Sequence, residues 1–146
     1  MRTVADREGR RFLLVKRSHE SSLVRDPRTG EERYLPTTAL EPVAGASVLE
    51  TAAAGLPVPD PAEGPLSNVS DPRGLGLLVL LFDRGPTPVR TLLGRTDLCE
   101  SDLHGLVGDL RAAGLLAPTE VAGERGYALT DRAAAAIGRH RDDAAD

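Results

Sequence analysis

The spacing of apolar positions changes near residue 70 of this chain. Before that point the apolar residues come in short runs bounded by turn chemistry. Phe12-Leu13-Leu14-Val15 follows Asp6-Arg7-Glu8-Gly9, Leu23-Val24 precedes Asp26-Pro27-Arg28-Thr29-Gly30, and Tyr34-Leu35 leads into Pro36. Gly supplies positive φ and Pro presets the first turn position, so such runs predict short strands joined by tight turns. Roughly four or five strands in residues 1–45 are too few for a sandwich and fit a small β-barrel, with Phe12 and Tyr34 expected in its core.

From Asp71 the spacing becomes helical. Asp71 reads as a cap with Pro72 at the first helical position, and Leu75, Leu78, Val79 and Phe82 recur at three and four until Gly85-Pro86 stops the helix. Thr87 and Pro88 predict the start of a second, shorter helix with Val89, Leu92 and Leu93 on its core face. A third runs from about Glu100 to Gly114 on Leu103, Leu106, Val107 and Leu110, with Cys99 as a poor cap and Asp102 facing free amides. Extended segments at 115–121 and 126–129, joined by Ala122-Gly123-Glu124-Arg125, predict a hairpin. Thr130 then caps a last helix, 131–140. Between the two halves, residues 46–70 carry Pro57, Pro59, Pro61 and Pro65 with Gly55 and Gly64 and read as an extended linker. A short helix at 47–54 is admitted there by Ser47 and Glu50 at capping-box spacing. The fold class expected is therefore α+β, with units at 1–45 and 71–146 joined by the 46–70 linker.

Charge bears on partners. The 146 residues carry a formal net charge of -4, which argues against a constitutively basic nucleic-acid binder, since affinity for a polyanion comes largely from neutralised phosphates. The three segments carry +2, -3 and -3, so the total conceals a basic N-terminal unit. Lys16 is the only lysine and the other 17 cations are Arg. That skew suggests a GC-rich genome and resembles haloarchaeal or actinobacterial usage; in high salt, counterion release is suppressed and an acidic DNA-binding surface becomes less strange.

Several chemistries drop out. A lone Cys99 forms no internal disulfide, and three His supply no zinc-ligand set. Residues 1–7 lead into no apolar run, and 77–82 is too short to span a bilayer, so a cytoplasmic chain without membrane contact is expected. Ser18-His19-Glu20-Ser21-Ser22 holds triad residue types, but consecutive residues do not converge as nucleophile, base and orienter. No P-loop or dinucleotide motif is present. A non-enzymatic protein without cofactor or metal is expected.

Three stretches carry a resemblance. Leu98-Cys99-Glu100-Ser101-Asp102-Leu103-His104 resembles the entry to a recognition helix, Leu110-Arg111-Ala112-Ala113-Gly114-Leu115-Leu116 its ending, and Tyr127-Ala128-Leu129-Thr130 a second wing strand running into a capped helix. With the order of elements, residues 71–141 resemble winged helix-turn-helix regulators of the MarR and TrmB type. More weakly, Tyr34-Leu35-Pro36-Thr37-Thr38-Ala39-Leu40-Glu41-Pro42-Val43 resembles the end of an SH3-like barrel. The first likeness implies a transcriptional regulator that binds double-stranded DNA, and because one winged helix with so few cations makes a weak site, a homodimer on two half-sites is expected. Glu100, Ser101, His104 and Arg111 would face base edges, Arg125 a phosphate or the minor groove, and Arg90 and Arg95 the backbone.

The same residues admit other readings. Glu100, Asp102 and Asp109 put carboxylates on the helix meant for a polyanion, and Gly105 and Gly108 stand where long polar side chains are expected. A protein-interaction module using this face is the first alternative. An RNA- or ribosome-associated factor led by Arg10, Arg11, Lys16 and Arg17 is the second. His104 reads equally as a solvent-facing histidine, and Cys99 as a small buried residue rather than a redox sensor.

Overall fold

In the computed structural model, which describes residues 1–56, 64–69 and 71–145, the chain is α+β with two antiparallel sheets. The first sheet contains β1 (Arg2–Ala5), β2 (Arg11–Lys16), β3 (Ser21–Arg25), β4 (Glu32–Pro36) and, after a 3₁₀ turn at Thr37–Ala39, β5 (Glu41–Pro42). Its order is β4-β3-β2-β1-β5. Among the described residues no pairing joins the edges β4 and β5, so the sheet stays open. The turns form as their residues dictate: Asp6 Oδ1 accepts from the amides of Glu8 and Arg10, and Asp26 Oδ1 from that of Arg28.

Register gives the sheet two faces. Val4 pairs with Phe12 and Leu14 with Val24, which puts Val4, Phe12 and Val24 in a small core with Leu14, Leu35 and Leu40. Thr3, Leu13 and Arg25 lie in register on the opposite face. Tyr34 is a correction: it is 66% exposed on the edge strand, opposite Leu23. Phe12 is buried as expected, under the guanidinium of Arg33 at 5.1 Å.

The linker expectation changes in part, because the short helix admitted at 47–54 forms and is buried. Ser47 accepts from the amide of Glu50 and starts α1 (Val48–Ala54), whose Val48, Leu49 and Ala52 are buried. With Leu13, Leu56 and Leu66 they join the main core. Thr3 and Thr51 hydroxyls meet at 2.8 Å, fixing α1 to the sheet. Pro57, Pro59 and Pro61, which motivated the extended reading, lie outside the described residues, and Pro65 opens a 3₁₀ turn, Pro65–Asn68. The segment reads as linker because its prolines stand out while α1 is short and rich in Ala. Its small side chains let the next helix approach closely.

That helix is α2 (Pro72–Arg84), capped by Asp71 through the Arg73 amide and ended by Gly85 at φ 83°. Then come β6 (Thr87–Pro88), α3 (Val89–Arg95), α4 (Glu100–Ala112), β7 (Leu116–Val121), β8 (Glu124–Leu129) and α5 (Asp131–Ala145). The second sheet has order β6-β8-β7. Thr87 does not cap: its hydroxyl donates to Gly85 O while its backbone pairs with Tyr127, so the helix begins at Val89 instead. The hairpin tip is the two-residue turn Ala122-Gly123, which makes Glu124 and Arg125 strand residues. Thr130 caps α5 as expected, accepting from Ala133 N and donating to Gly114 O. α5 continues past residue 140 because Arg141 has a buried partner, Asp83.

Candidate nucleic-acid interface

The four apolar residues at helical spacing in α4, Leu103, Leu106, Val107 and Leu110, are all buried. The opposite side is therefore left to solvent, and Glu100, Ser101, Asp102, His104, Gly105, Gly108, Asp109 and Arg111 are exposed on it. No atom lies within 4 Å of where a Cβ on Gly105 or Gly108 would stand, so neither glycine serves the packing of this chain. Glu100 and Asp102 sit in the first turn, where carboxylates complement free amides. Cys99 precedes them exposed, a correction to its expected burial; its Sγ lies 3.2 Å from Ser101 Oγ and caps nothing.

The structure divides the expected cations. Arg111 is exposed in the last turn of α4. Arg125 projects from β8 opposite Glu120, also exposed. Arg90 Nη2 lies 3.1 Å from Glu124 Oε1, but with its side chain 86% exposed the pair contributes at most about 1 kcal/mol and yields readily to another anion. Arg95 stands apart. Half-buried at the end of α3, it has its guanidinium pKa lowered first by burial and then by Arg84 and Arg25, with Glu32 opposing. None of those neighbours is on α4 or the hairpin.

Two clusters escaped sequence reasoning. In one, Arg25 is 2% exposed, its Nη2 donating to Glu32 at 3.0 Å and its Nη1 buried without a partner. Arg84 is drawn into the same neighbourhood; burial first, then Arg25, lowers its pKa, against Glu32. The available signal was period two: Arg25 follows Leu23 by two and shares the face of Leu13. In the other, Asp83 and Arg141 pair across the sequence, which no local pattern announces.

The basic strip of the first unit is partly neutralised, Arg10 by Asp6 and Glu8. Arg10, with Arg11 and Arg28, borders a cleft of about 410 Å³ against α1, where Arg28 pairs with Asp26. The 18–22 stretch supports a turn: Ser22 Oγ lies 2.7 Å from Thr37 Oγ1, which donates to Ser18 O. Among the described residues no three His, Cys, Asp or Glu side chains are grouped to hold a metal, and no helix is long and apolar enough to cross a membrane.

A family model described as a family of unknown function (DUF7346) matches residues 1–141. No curated protein and no solved structure matches the chain.

Proposed function

The chain belongs to the DUF7346 family, and we propose that this member is a transcriptional regulator whose residues 71–141 form a winged helix that binds duplex DNA. The observation that carries the reading is the joint exposure of α4 and the hairpin that follows it. α4 presents a solvent-facing side along its whole length, and Arg111 and Arg125 are exposed on the two elements. The pairing of β6 with β8 supports it further, since it fixes the hairpin to the start of α3 and so sets the wing against the helix pair. Ser101 and His104 in the first half of α4 would meet base edges, Glu100 a cytosine amino group, and Arg90, released from Glu124, a phosphate. Few cations make a weak site, so the regulator works as a homodimer on two half-sites. The SH3-like reading of the first unit rests on β4, the 3₁₀ turn and β5, with the sheet left open.

A second reading, a protein-docking face on α4, is favoured by Glu100, Asp102 and Asp109 beside bare Gly105 and Gly108. A groove of about 360 Å³ with Leu106, Leu110 and Asp109 in its wall runs between α4 and α2 and would seat an apolar side chain. Fluorescence anisotropy with random duplex DNA across a salt series separates the two. The DNA reading expects binding at low salt, a negative slope against log salt, and loss of about one unit of that slope in Arg125→Ala. Absence of any binding at low salt leaves the docking face as the standing reading.

A further inference from the structure

We propose that the cleft between the first sheet and α1 binds a small zwitterion with an apolar body, the class of an apolar α-amino acid. The cleft holds about 410 Å³, within the range of roughly 300–1,000 Å³ usual for small-molecule sites. Two contacts between α1 and the sheet fix its shape. The Thr3 and Thr51 hydroxyls meet at 2.8 Å, and Gly55 lies so near the backbone of Pro27 that a Cβ there would collide with it. Thr51, Gly55 and Pro27 all line the cleft, so its walls are held at both tie points.

The charges around the cleft leave one of each sign unanswered. Arg10 and Arg28 are held by carboxylates of their own turns, the first by Asp6 and Glu8 and the second by Asp26. Arg11 and Glu50 also line the cleft, and both are exposed. Among the described residues neither side chain has an ion pair or a hydrogen bond, and the two do not pair with each other; the bond that Glu50 makes is through its backbone amide. They come from opposite walls. Arg11 pairs with Ala5 and so shares the sheet face of Thr3 and Leu13, on which α1 lies, while Glu50 stands in the first turn of α1. Ala46 and Ala54 add apolar surface to that of Pro27. A guanidinium fork takes a carboxylate through two parallel hydrogen bonds, and a carboxylate takes an ammonium. An amino acid therefore answers both charges while its side chain covers the apolar wall, whereas a plain acid leaves Glu50 unmatched and a plain amine leaves Arg11. None of these residues is on α4 or the hairpin, so the cleft and the DNA reading stand or fall separately.

Calorimetric titration and thermal unfolding of the full chain with valine, leucine and phenylalanine test the site, followed by the decarboxylated amine and the deaminated acid of whichever binds tightest. Saturable binding of at least one amino acid with a rise in Tm is expected, because a ligand that bridges β2 and α1 favours the folded chain. Each truncated analogue should bind at least about tenfold more weakly, as should the amino acid itself in Arg11→Gln and Glu50→Gln. In Arg11→Gln the amino acid then binds no better than the amine, and in Glu50→Gln no better than the acid. Both side chains are exposed, so the variants fold with the Tm of the parent chain. Arg139→Gln, which removes an exposed guanidinium from α5, binds as the parent does. Absence of saturable binding by all three amino acids overturns the proposal. So does an amine or acid that binds as tightly as the amino acid, or an equal loss in Arg139→Gln.

Discussion

Arg141 and Asp83 meet as a bidentate pair, Nη1 to Oδ1 and Nη2 to Oδ2 each at 2.9 Å, across 58 residues of sequence. Both side chains are under a tenth exposed, and the guanidinium lies 5.8 Å from the Phe82 ring centroid. The β3–β4 turn covers them so closely that a Cβ at Gly30 would collide with Arg141 Nη1 and Asp83 Oδ1. The pair therefore joins α2, α5 and the first sheet at one point. Removing one partner strands a buried charge, so Asp83→Ala is expected to lose about 3–5 kcal/mol in urea unfolding. The double replacement Asp83→Leu with Arg141→Met restores most of that loss, because two apolar groups leave nothing unpaired. A single-variant loss below about 1 kcal/mol would show that the pair is solvated in solution.

Glycines separate packing from function. At Gly76 an added Cβ would run into the backbone carbonyl of Leu49, where α2 crosses α1. Gly76→Ala must force the two helices apart, and a loss of about 3 kcal/mol or more is expected from overpacking of backbone on backbone. Gly105→Ala and Gly108→Ala meet open space, and each should raise stability by about 0.5–1 kcal/mol through helix propensity. Chemical denaturation measures all three. If the two α4 variants gain stability but lose a partner's affinity, close approach at α4 is what those glycines provide.

What could be read from sequence was whatever the chain states locally. The stripe of Leu103, Leu106, Val107 and Leu110 specified α4 and its exposed side together, and Asp71, Ser47 and Thr130 announced their helices by capping chemistry. What escaped was set by tertiary pairing. β6 is two residues long and exists because Thr87 and Pro88 find Tyr127 and Gly126. Ser47 announced α1, but the prolines around it hid that it packs into the core, where its close contact is a backbone crossing at Gly76 rather than large side chains. Arg25 and Arg141 belong to no motif in the sequence, yet both are buried beside carboxylates that only the fold brings near. Tyr34, taken for core on its aromaticity, sits on an edge strand at a position no helix covers.

Acid sensitivity follows from carboxylates held by local hydrogen bonds, Asp6 and Asp26 in turns and Asp71 at the cap of α2. The side-chain hydrogen bond from Arg73 holds the Asp71 carboxyl below its usual value of 3.8, helped by the Arg73 amide. At Asp26 burial pushes upward, but hydrogen bonds from the Arg28 side chain and amide outweigh it and the carboxyl is again lowered. Carboxyls depressed in the folded state bind fewer protons than in the unfolded chain, so their contribution is full above the unfolded pKa and vanishes as pH falls through the folded one. Stability should hold steady near neutrality and decline below about pH 4. Asp71→Asn should flatten that acid decline, and Asp71→Ala should also lose about 1 kcal/mol at neutral pH as the cap of α2 disappears. An unaltered acid limb in Asp71→Asn would remove this group from the account.

The hairpin tip offers a gain. Ala122 has φ 51° and Gly123 φ 82°, the two positive values that a two-residue turn needs to match the twist of β7 and β8. Alanine is poorly suited to the first position, since its Cβ crowds the backbone in the left-handed region, whereas Asn and Gly enter it readily. Replacing Ala122 with Asn gives the Asn-Gly pair preferred in such turns and should stabilise the chain by about 0.5–1 kcal/mol, seen as a rise in Tm of a few degrees. Because Glu124 and Arg125 are anchored in β8 by pairing with Val121 and Glu120, their positions do not change. Duplex affinity should therefore remain as in the parent chain in anisotropy titrations. A fall in affinity with the rise in Tm would mean instead that the proposed wing must flex to engage its partner.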